Sequence, residues 1–515
     1  MIKTNDTPIF ISLFILCTAI FLIPVWLFRF LPLVDYPQHL AIAHIFHNYG
    51  NEGNLFQDYY RINFFPVAYM FHTIFLHIMS FVFPMEIAGK LYLSLYIILL
   101  PISVLSCIKA YNGEKWFCFF AFLFIYNFPF LMGFMAYFMA VPFFFLNLAA
   151  LTHYAKKKGA HTRAQGILLA GLFFLSALTH PILYYPAILF SIITLIFVHK
   201  KNIKGYKTFL WILPSLIFMI YYFINRWGLL GISLFKDAGG ISHLMEIITH
   251  RLKNYGLHLL WPLHAYNKII GWFFLSVSVV FLYGFAKKRK VLTPLSPLLF
   301  IWLILSLLTY LTIPDAFSHL SYIGTRFAIL APILLILALS AIKLKPTEKT
   351  LLALCLTILL GVTVTKIIPG FYDFNHRSQP LPGMINILPK NKKVIGLYYP
   401  QGLGPGAFHP WAYMHLGCYY TIWKDSIPVY VFADDHIINI IEKRQHITKW
   451  GDHPFYKTWH PHKMIIPEGW QNYDYFLACG NVPDKHRDFF KDHHIDLLRE
   501  EGIWSLYKAP GNSPS

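Results

Sequence analysis

The sequence predicts an α-helical multi-pass membrane protein of about eleven to thirteen spans, with a small α/β soluble domain at its C-terminal end. Three observations lead there. Of the 515 residues, 57% are hydrophobic and 13% charged, and the mean hydropathy is +0.51. That is far from a soluble average. Several apolar runs are continuous rather than alternating and reach the ~20 residues a bilayer crossing needs, which excludes a β-barrel. The apolar pattern then stops at Pro369, and the chain beyond it is polar and rich in Trp, His and Tyr. Residues 1–368 are therefore read as the membrane domain and 369–515 as an external α/β domain.

Charge sets the orientation. The formal net charge is +19, which in a soluble protein would suggest a nucleic-acid partner. Here much of the basic charge sits in short connections: Lys156–Lys158, Lys200–Lys201, Lys287–Lys290 and Lys343–Lys349. Topology signalling accounts for such clusters without a polyanion, so no nucleic acid is expected. The first apolar run, Ile9–Leu31, lacks a small-residue cleavage site and reads as a retained anchor.

With the residues before Pro8 inside, the loop 32–62 lies outside. Spans are expected at Phe64–Phe83 and Ala88–Ile108. The stretch Trp116–Tyr154 is too long for one straight helix; Asn127-Phe128-Pro129 and Gly133 interrupt it, and it counts as one net crossing of a broken or re-entrant kind. Gln165–Leu178, Ile182–Val198 and Thr208–Tyr222 follow. Residues 226–267 form a second external loop with amphipathic character. Lys268–Ala286 returns, Leu292–Thr312 exits, and Ile313–Arg326 makes a third external turn. Phe327–Ala341 and Leu351–Ile368 complete the set.

In the last domain, Lys393–Tyr399, Val429–Phe432, Tyr473–Ala478 and Ile503–Tyr507 read as strands. His436–Arg444 and Lys485–Glu501 read as helices. Cys17, Cys107, Cys118 and Cys355 lie in or beside apolar spans and fill space. Cys418 and Cys479 lie in the polar part, where a disulfide is an open alternative in an oxidising compartment. The spaced glycines of Gln401–Gly406 lack a P-loop lysine and make a weak phosphate cradle.

One stretch, Leu31–Leu40, organises the functional reading. Asp35 follows the first span and is held between Pro32 and Pro37, which restrict the backbone around it. The amphipathic residues Gln38–Tyr49 are expected to lie flat on the membrane boundary. Asp35 is then either the N-cap of that helix or a working carboxylate. On the same external face the topology gathers His39, His180, Arg226, Arg251, His319 and Arg326. A carboxylate can take a proton from an attacking hydroxyl or amine. A guanidinium binds phosphate through two parallel hydrogen bonds and stabilises a phosphate leaving group.

At these residues the chain resembles the GT-C superfamily of membrane glycosyltransferases, which includes protein O-mannosyltransferases and aminoarabinose transferases. It is most similar to bacterial members with an Asp-x-Pro-x-His-Leu element after the first span, here Asp35-Tyr-Pro-Gln-His39-Leu40. A His-Pro between middle spans, His180-Pro181, and a late external Gly324-Thr-Arg326-Phe327 also resemble that group. The resemblance implies a polyprenyl- or dolichyl-phosphate-linked sugar donor. It also implies Asp35 as general base, Arg326 as donor-phosphate ligand, and a place in the bacterial inner membrane with the C-terminal domain in the periplasm.

The chain departs from the pattern in lacking a second acid beside Asp35, and the next are Glu52 and Asp58. A hard divalent cation wants several oxygen ligands, so no metal and no other cofactor is expected. A histidine set of His39, His44 and His47 lacks an evident further ligand. Asp452, His453, His460 and His462, with Trp450 and Trp459, form either a metal or carbohydrate cluster or an aromatic-packed loop. Two other functions stay open: a transporter or flippase of a lipid-linked or anionic solute, and a non-catalytic subunit of surface-polysaccharide assembly. The first predicts paired repeats and ionisable groups at the bilayer midplane, and neither is evident.

Overall fold

The computed structural model describes residues 7–62, 67–156, 162–198, 208–227, 241–259, 296–315, 322–400, 403, 410–428, 438–440, 471 and 473–510. It is mostly helical with a small sheet near the C-terminus. The chain divides into two compact units. The first comprises Met1–Ile23, Ser94–Leu131 and Ala136–Lys366; the second comprises Pro24–Leu93, Met132–Met135 and Ile367–Ser515. One break falls beside the compositional shift at Pro369, but Pro24–Leu93 groups with the C-terminal part rather than with the helices that follow it.

Four described helical segments are long and apolar enough to cross a membrane: Thr7–Leu27, Met85–Ala110, Met135–Tyr154 and Pro346–Asn386. At 1.5 Å per residue the first reaches about 30 Å, the thickness of the hydrocarbon core. It leaves Ile9, Ile15 and Leu27 exposed, and the last leaves Leu351, Leu354 and Ile358 exposed. Apolar side chains on an outer helix face suit lipid rather than water.

Helices α1 (Thr7–Leu27) and α5 (Met85–Ala110), parts of which fall in each unit, are continuous, although each contains a proline. The stretch after α5 is broken, as its sequence predicts. A 3₁₀ helix spans Lys115–Phe124, α6 spans Phe128–Leu131, and α7 runs from Met135 to Lys156. Asn127 fixes the break: its Oδ1 accepts from Phe130 N at 3.0 Å, while its Nδ2 donates to Phe124 O at 2.7 Å and to Tyr96 Oη at 3.0 Å. A side chain that satisfies the backbone at an interruption lets it persist in an apolar setting.

Helix α8 (Arg163–Thr179) starts on a Thr162/Gln165 capping box, and α9 (Pro181–Val198) follows after His180 alone. Helices α10 (Thr208–Trp227), α11 (Ile241–Leu259) and α12 (Ser296–Thr312) come next. A single turn, α13 (Ile323–Arg326), leads through a 3₁₀ segment into α14 (Leu330–Leu339). The expected span Lys268–Ala286 lies outside the described residues.

In the second unit, α2 (Tyr36–Asn48) is packed by α4 (Met70–Met79) and by α17 (Cys418–Lys424), and nine of its residues, Tyr36–Ala43 and Ile45, are buried. The surface-lying helix expected over Gln38–Tyr49 is thus a core helix, because a partner covers its polar side as well. The span expected at Phe64–Phe83 is helical only over Met70–Met79 among the described residues. Ten residues reach about 15 Å, half a bilayer.

Helix α15 (Pro346–Ser378) continues through Pro369, ten residues past the expected end of the last span. The proline removes one i→i−4 hydrogen bond, not the helix. A five-stranded sheet has β2 (Lys393–Tyr398) between β3 (Ile427–Pro428) and β5 (Tyr475–Cys479), all parallel; β7 (Trp504–Lys508) and β6 (Asp496–Glu501) extend it antiparallel in the order β3-β2-β5-β7-β6.

Two expected helices are corrected here. Ile438–Ile440 is a strand, β4, paired antiparallel with β1 (Tyr60–Ile62). The helix expected over Lys485–Glu501 ends as α18 (Asp484–Asp492), and after His494 at φ +54° the chain becomes β6. Pairing with β7 overrides the helical propensity of Leu497–Glu501. Cys418 and Cys479 are both buried and free, so no disulfide joins them.

Candidate functional site

Asp35 occupies the N-cap position of α2, and its backbone does what an N-cap requires: its carbonyl accepts from His39 N at 3.2 Å. Its side chain makes no capping hydrogen bond. The simple capping role is therefore corrected for the carboxylate. It faces His415 instead, with Oδ1 3.6 Å from Nε2, and both side chains are largely buried, at 15% and 13% exposure. At that separation the contact is an electrostatic approach rather than a hydrogen bond.

The ring's other nitrogen, Nδ1, lies 3.0 Å from Gln38 Nε2, which donates to it. A neutral imidazole then carries its proton on Nε2, the atom directed at the carboxylate. Burial pushes the His415 imidazole down to about 4, so the ring is neutral at physiological pH.

The backbone of Asp35 is held as firmly. Its N–H donates to Met132 O at 3.0 Å. Gly133, at φ +72°, lies so close that a Cβ there would stand 2.7 Å from Tyr36 N and 2.8 Å from Asp35 N. Both the left-handed conformation and the close approach require glycine.

The histidines of α2 are paired off. His39 stacks edge-on to His72, with centroids 4.6 Å apart. His44 Nε2 meets Asp425 Oδ1 at 2.8 Å, and His47 Nδ1 meets His77 Nδ1 at 3.1 Å. The triad His39, His44 and His47 is therefore not brought together, and among the described residues no group of three or more His, Cys, Asp or Glu is placed to hold a metal ion. Asp452, His453, His460 and His462 lie outside the described residues.

The first unit brings together His180 and Arg326, both buried. Arg326 Nη1 lies 3.1 Å from His180 Nε2. Tyr137 braces both: its hydroxyl donates to Arg326 O at 2.6 Å, its ring lies 5.7 Å under the guanidinium, and it meets the His180 ring edge-on at 5.4 Å.

Arg251 is placed differently. Its guanidinium, 1% exposed, donates to Tyr310 O at 2.7 Å and Ile313 O at 3.1 Å, and pairs with Asp315 at 2.8 Å. Asp315 in turn accepts from Thr325 N at 2.9 Å and Thr325 Oγ1 at 3.0 Å. Gly324 fits beneath this strut, where a Cβ would stand 2.1 Å from Ile313 O. Arg251 thus completes the clamp that orients the Gly324–Arg326 turn, with its charge matched by Asp315. The side chain of Arg226 and the whole of His319 lie outside the described residues.

Sequence reading missed three contributors. Asp315 carried a signal, as the sole acid in the third external turn. Tyr137 and His415 carried none: one is an aromatic within an apolar run, and the other stands 377 residues from the Gln38 side chain that orients it.

No protein-family model matches the sequence, and no curated protein matches it. Among solved structures, the chain aligns with the apo crystal structure of ArnT from Cupriavidus metallidurans over 98% of each chain, at 10% sequence identity and a TM-score of 0.46.

Proposed function

We propose that the chain is a GT-C-type membrane glycosyltransferase. It moves a sugar from a polyprenyl-phosphate-linked donor to an acceptor glycan, lipid or protein on the external face of a bacterial inner membrane. The observation that carries this reading is the Asp35 carboxylate. It stands at a helix start yet makes no capping bond there, and it faces a buried neutral imidazole. A carboxylate that the fold orients without using in a cap suits proton transfer.

In this reaction Asp35 takes the proton from the acceptor hydroxyl or amine as the acceptor attacks the anomeric carbon. The bond from that carbon to the phosphate oxygen breaks, its electron pair leaves with polyprenyl phosphate, and the anomeric centre inverts. Arg326 binds the donor phosphate and stabilises the charge that grows on it. Tyr137 and the Arg251–Asp315–Thr325 strut keep that guanidinium in place. His39, Arg226 and His319 are assigned to substrate contacts. No metal or other cofactor is assigned a role.

Release of polyprenyl phosphate tests the reading without knowledge of the acceptor's identity. Purified protein, supplied with a polyprenyl-phosphate-linked sugar and membrane extract as acceptor source, should release the lipid phosphate. Arg326→Ala should abolish release, and Arg326→Lys should retain part of it, since lysine keeps the charge but loses the planar fork. Equal release from Arg326→Ala and wild type would place the phosphate elsewhere.

A further inference from the structure

Asp35-Tyr36-Pro37-Gln38 has the sequence of a capping box, a capping acid followed three residues later by glutamine. In such a box each side chain closes on the other residue's backbone N–H. Neither limb is made here. Asp35 has φ −89° and ψ −5°, not the extended backbone usual at an N-cap, and its carboxylate makes no capping bond. Its N–H, the group that the glutamine would serve, donates to Met132 O at 3.0 Å. Gln38 is 1% exposed, and its amide meets His415 Nδ1 at 3.0 Å instead. The two side chains of the unmade box thus approach one imidazole on opposite nitrogens, with Asp35 Oδ1 3.6 Å from Nε2.

The carboxylate decides the direction of the Gln38 bond. Burial keeps the ring neutral, so it carries one proton. With that proton on Nε2, an N–H dipole points at the carboxylate and favours its charged form. With the proton on Nδ1, a nitrogen lone pair would stand against a carboxylate oxygen. Gln38 therefore donates through Nε2, and its Oε1 is left buried with no hydrogen-bond partner among the described residues. An unpaired buried amide oxygen is costly, so the helix start alone does not select this arrangement. His415 itself is fixed at the entry to α17, where its carbonyl accepts from Cys418 N at 3.0 Å, and α17 packs on α2.

We propose that His415 and Gln38 are positioning residues for the Asp35 carboxylate: Gln38 holds the imidazole with its proton on Nε2, and that N–H keeps the carboxylate ionised and oriented for the acceptor. The proposal rests on the reading of Asp35 as general base and adds how that base is held. The hydrogen bond at one ring nitrogen sets what the other presents.

The test is the rate of polyprenyl phosphate release at saturating polyprenyl-phosphate-linked sugar, with membrane extract as acceptor source. Farnesyl phosphate binding and the thermal midpoint are measured on each full-length variant in detergent. Gln38→Glu keeps the side chain's length but accepts where glutamine donates, which draws the ring proton to Nδ1. Release should fall by about 10- to 100-fold, the scale of a misplaced catalytic group, with farnesyl phosphate binding unchanged. His415→Leu should fall as far, whereas His415→Gln, which returns an N–H towards the position of Nε2, should keep most of the release. A residue that acts through Asp35 has nothing left to orient once that carboxylate is gone. His415→Leu should therefore cost no further release in an Asp35→Asn background.

Wild-type release by Gln38→Glu and His415→Leu, with release lost in Asp35→Asn, would remove both residues from the mechanism and leave the base reading intact. Wild-type release by Asp35→Asn would overturn that reading and this proposal together. Equal loss in His415→Leu and His415→Gln, or a loss that adds in full to that of Asp35→Asn, would assign His415 to packing alone. If His415→Leu does not fold, Gln38→Glu decides: a fall in release with midpoint and farnesyl phosphate binding intact supports the proposal, and wild-type release overturns it.

Discussion

Replacing Asp315 by asparagine isolates the charge that holds the Gly324–Arg326 turn. In the wild-type protein Oδ1 accepts from both Arg251 Nη2 and Thr325 N, and Oδ2 accepts from Thr325 Oγ1. An asparagine keeps its oxygen at the first position. Its amide nitrogen then faces the Thr325 hydroxyl, which rotates to accept instead of donate. The hydrogen bonds survive and one negative charge is lost.

Two unit charges about 4 Å apart attract by roughly 4 kcal/mol at an effective dielectric of about 20. Asp315 is one-third exposed, so screening leaves about half of that, ~2 kcal/mol. Arg251 is 1% exposed and would then lack its counter-charge, which adds to the loss rather than offsetting it. The expected results are a lower thermal midpoint and farnesyl phosphate binding weakened by about 10- to 30-fold, at 1.4 kcal/mol per factor of ten. Thr325→Val, which removes one hydrogen bond and keeps the ion pair, should show a smaller change in both. Unchanged midpoint and affinity in Asp315→Asn would refute the claim that this pair holds the turn.

Three further outcomes follow from the second unit and the cysteines. Gly133→Ala should lower the thermal midpoint and impair transfer, since its Cβ would press on the backbone of Asp35 and Tyr36 and its φ of +72° costs about 1–2 kcal/mol for a non-glycine residue. Retention of both would contradict the close approach.

Burial holds His415 near 4 against about 6.5 in the unfolded chain. The unfolded state therefore takes up the proton first. Stability from this group is complete above about pH 6.5 and falls by up to about 3 kcal/mol as pH drops towards 4. His415→Gln should flatten the fall in thermal midpoint between pH 7 and pH 4.5, and an identical slope would show that the ring, which Asp35 and Gln38 face, is not held neutral.

Denaturation without reductant should expose six maleimide-reactive thiols, because all six cysteines are free. A count of four would show that two of the cysteines are joined in a disulfide.

Helices were legible where composition alone decides them. Thr7–Leu27, Met85–Ala110 and the body of Pro346–Ser378 are long, apolar and lipid-compatible, and the Asn127–Gly133 break was visible in its residue types. Reading failed where a distant partner decides. Gln38–Tyr49 has the look of a surface helix until α17, far along the chain, covers it. Leu497–Glu501 has helical residues but pairs with β7.

The candidate residues divide the same way. Asp35, His180 and Arg326 announced themselves as polar groups at the ends of apolar runs. Their supports are backbone carbonyls, a glycine's missing Cβ, and side chains remote in sequence such as Tyr137, Asp315 and His415. No local pattern encodes those. Arg251 was visible as a charge, yet only the position of Asp315 distinguishes a strut from a ligand.

The central claim is that Asp35 is a general base, and transfer by Asp35→Asn tests it most directly. Because the wild-type carboxylate makes no capping bond and asparagine serves an N-cap about as well as aspartate, the variant should fold and bind farnesyl phosphate normally. It cannot accept a proton from the acceptor at neutral pH, and positioned acid–base catalysis is worth about 10²–10⁴-fold. Sugar transfer from a polyprenyl-phosphate-linked donor should therefore fall by that factor with donor binding intact. Transfer at the wild-type rate would contradict the account.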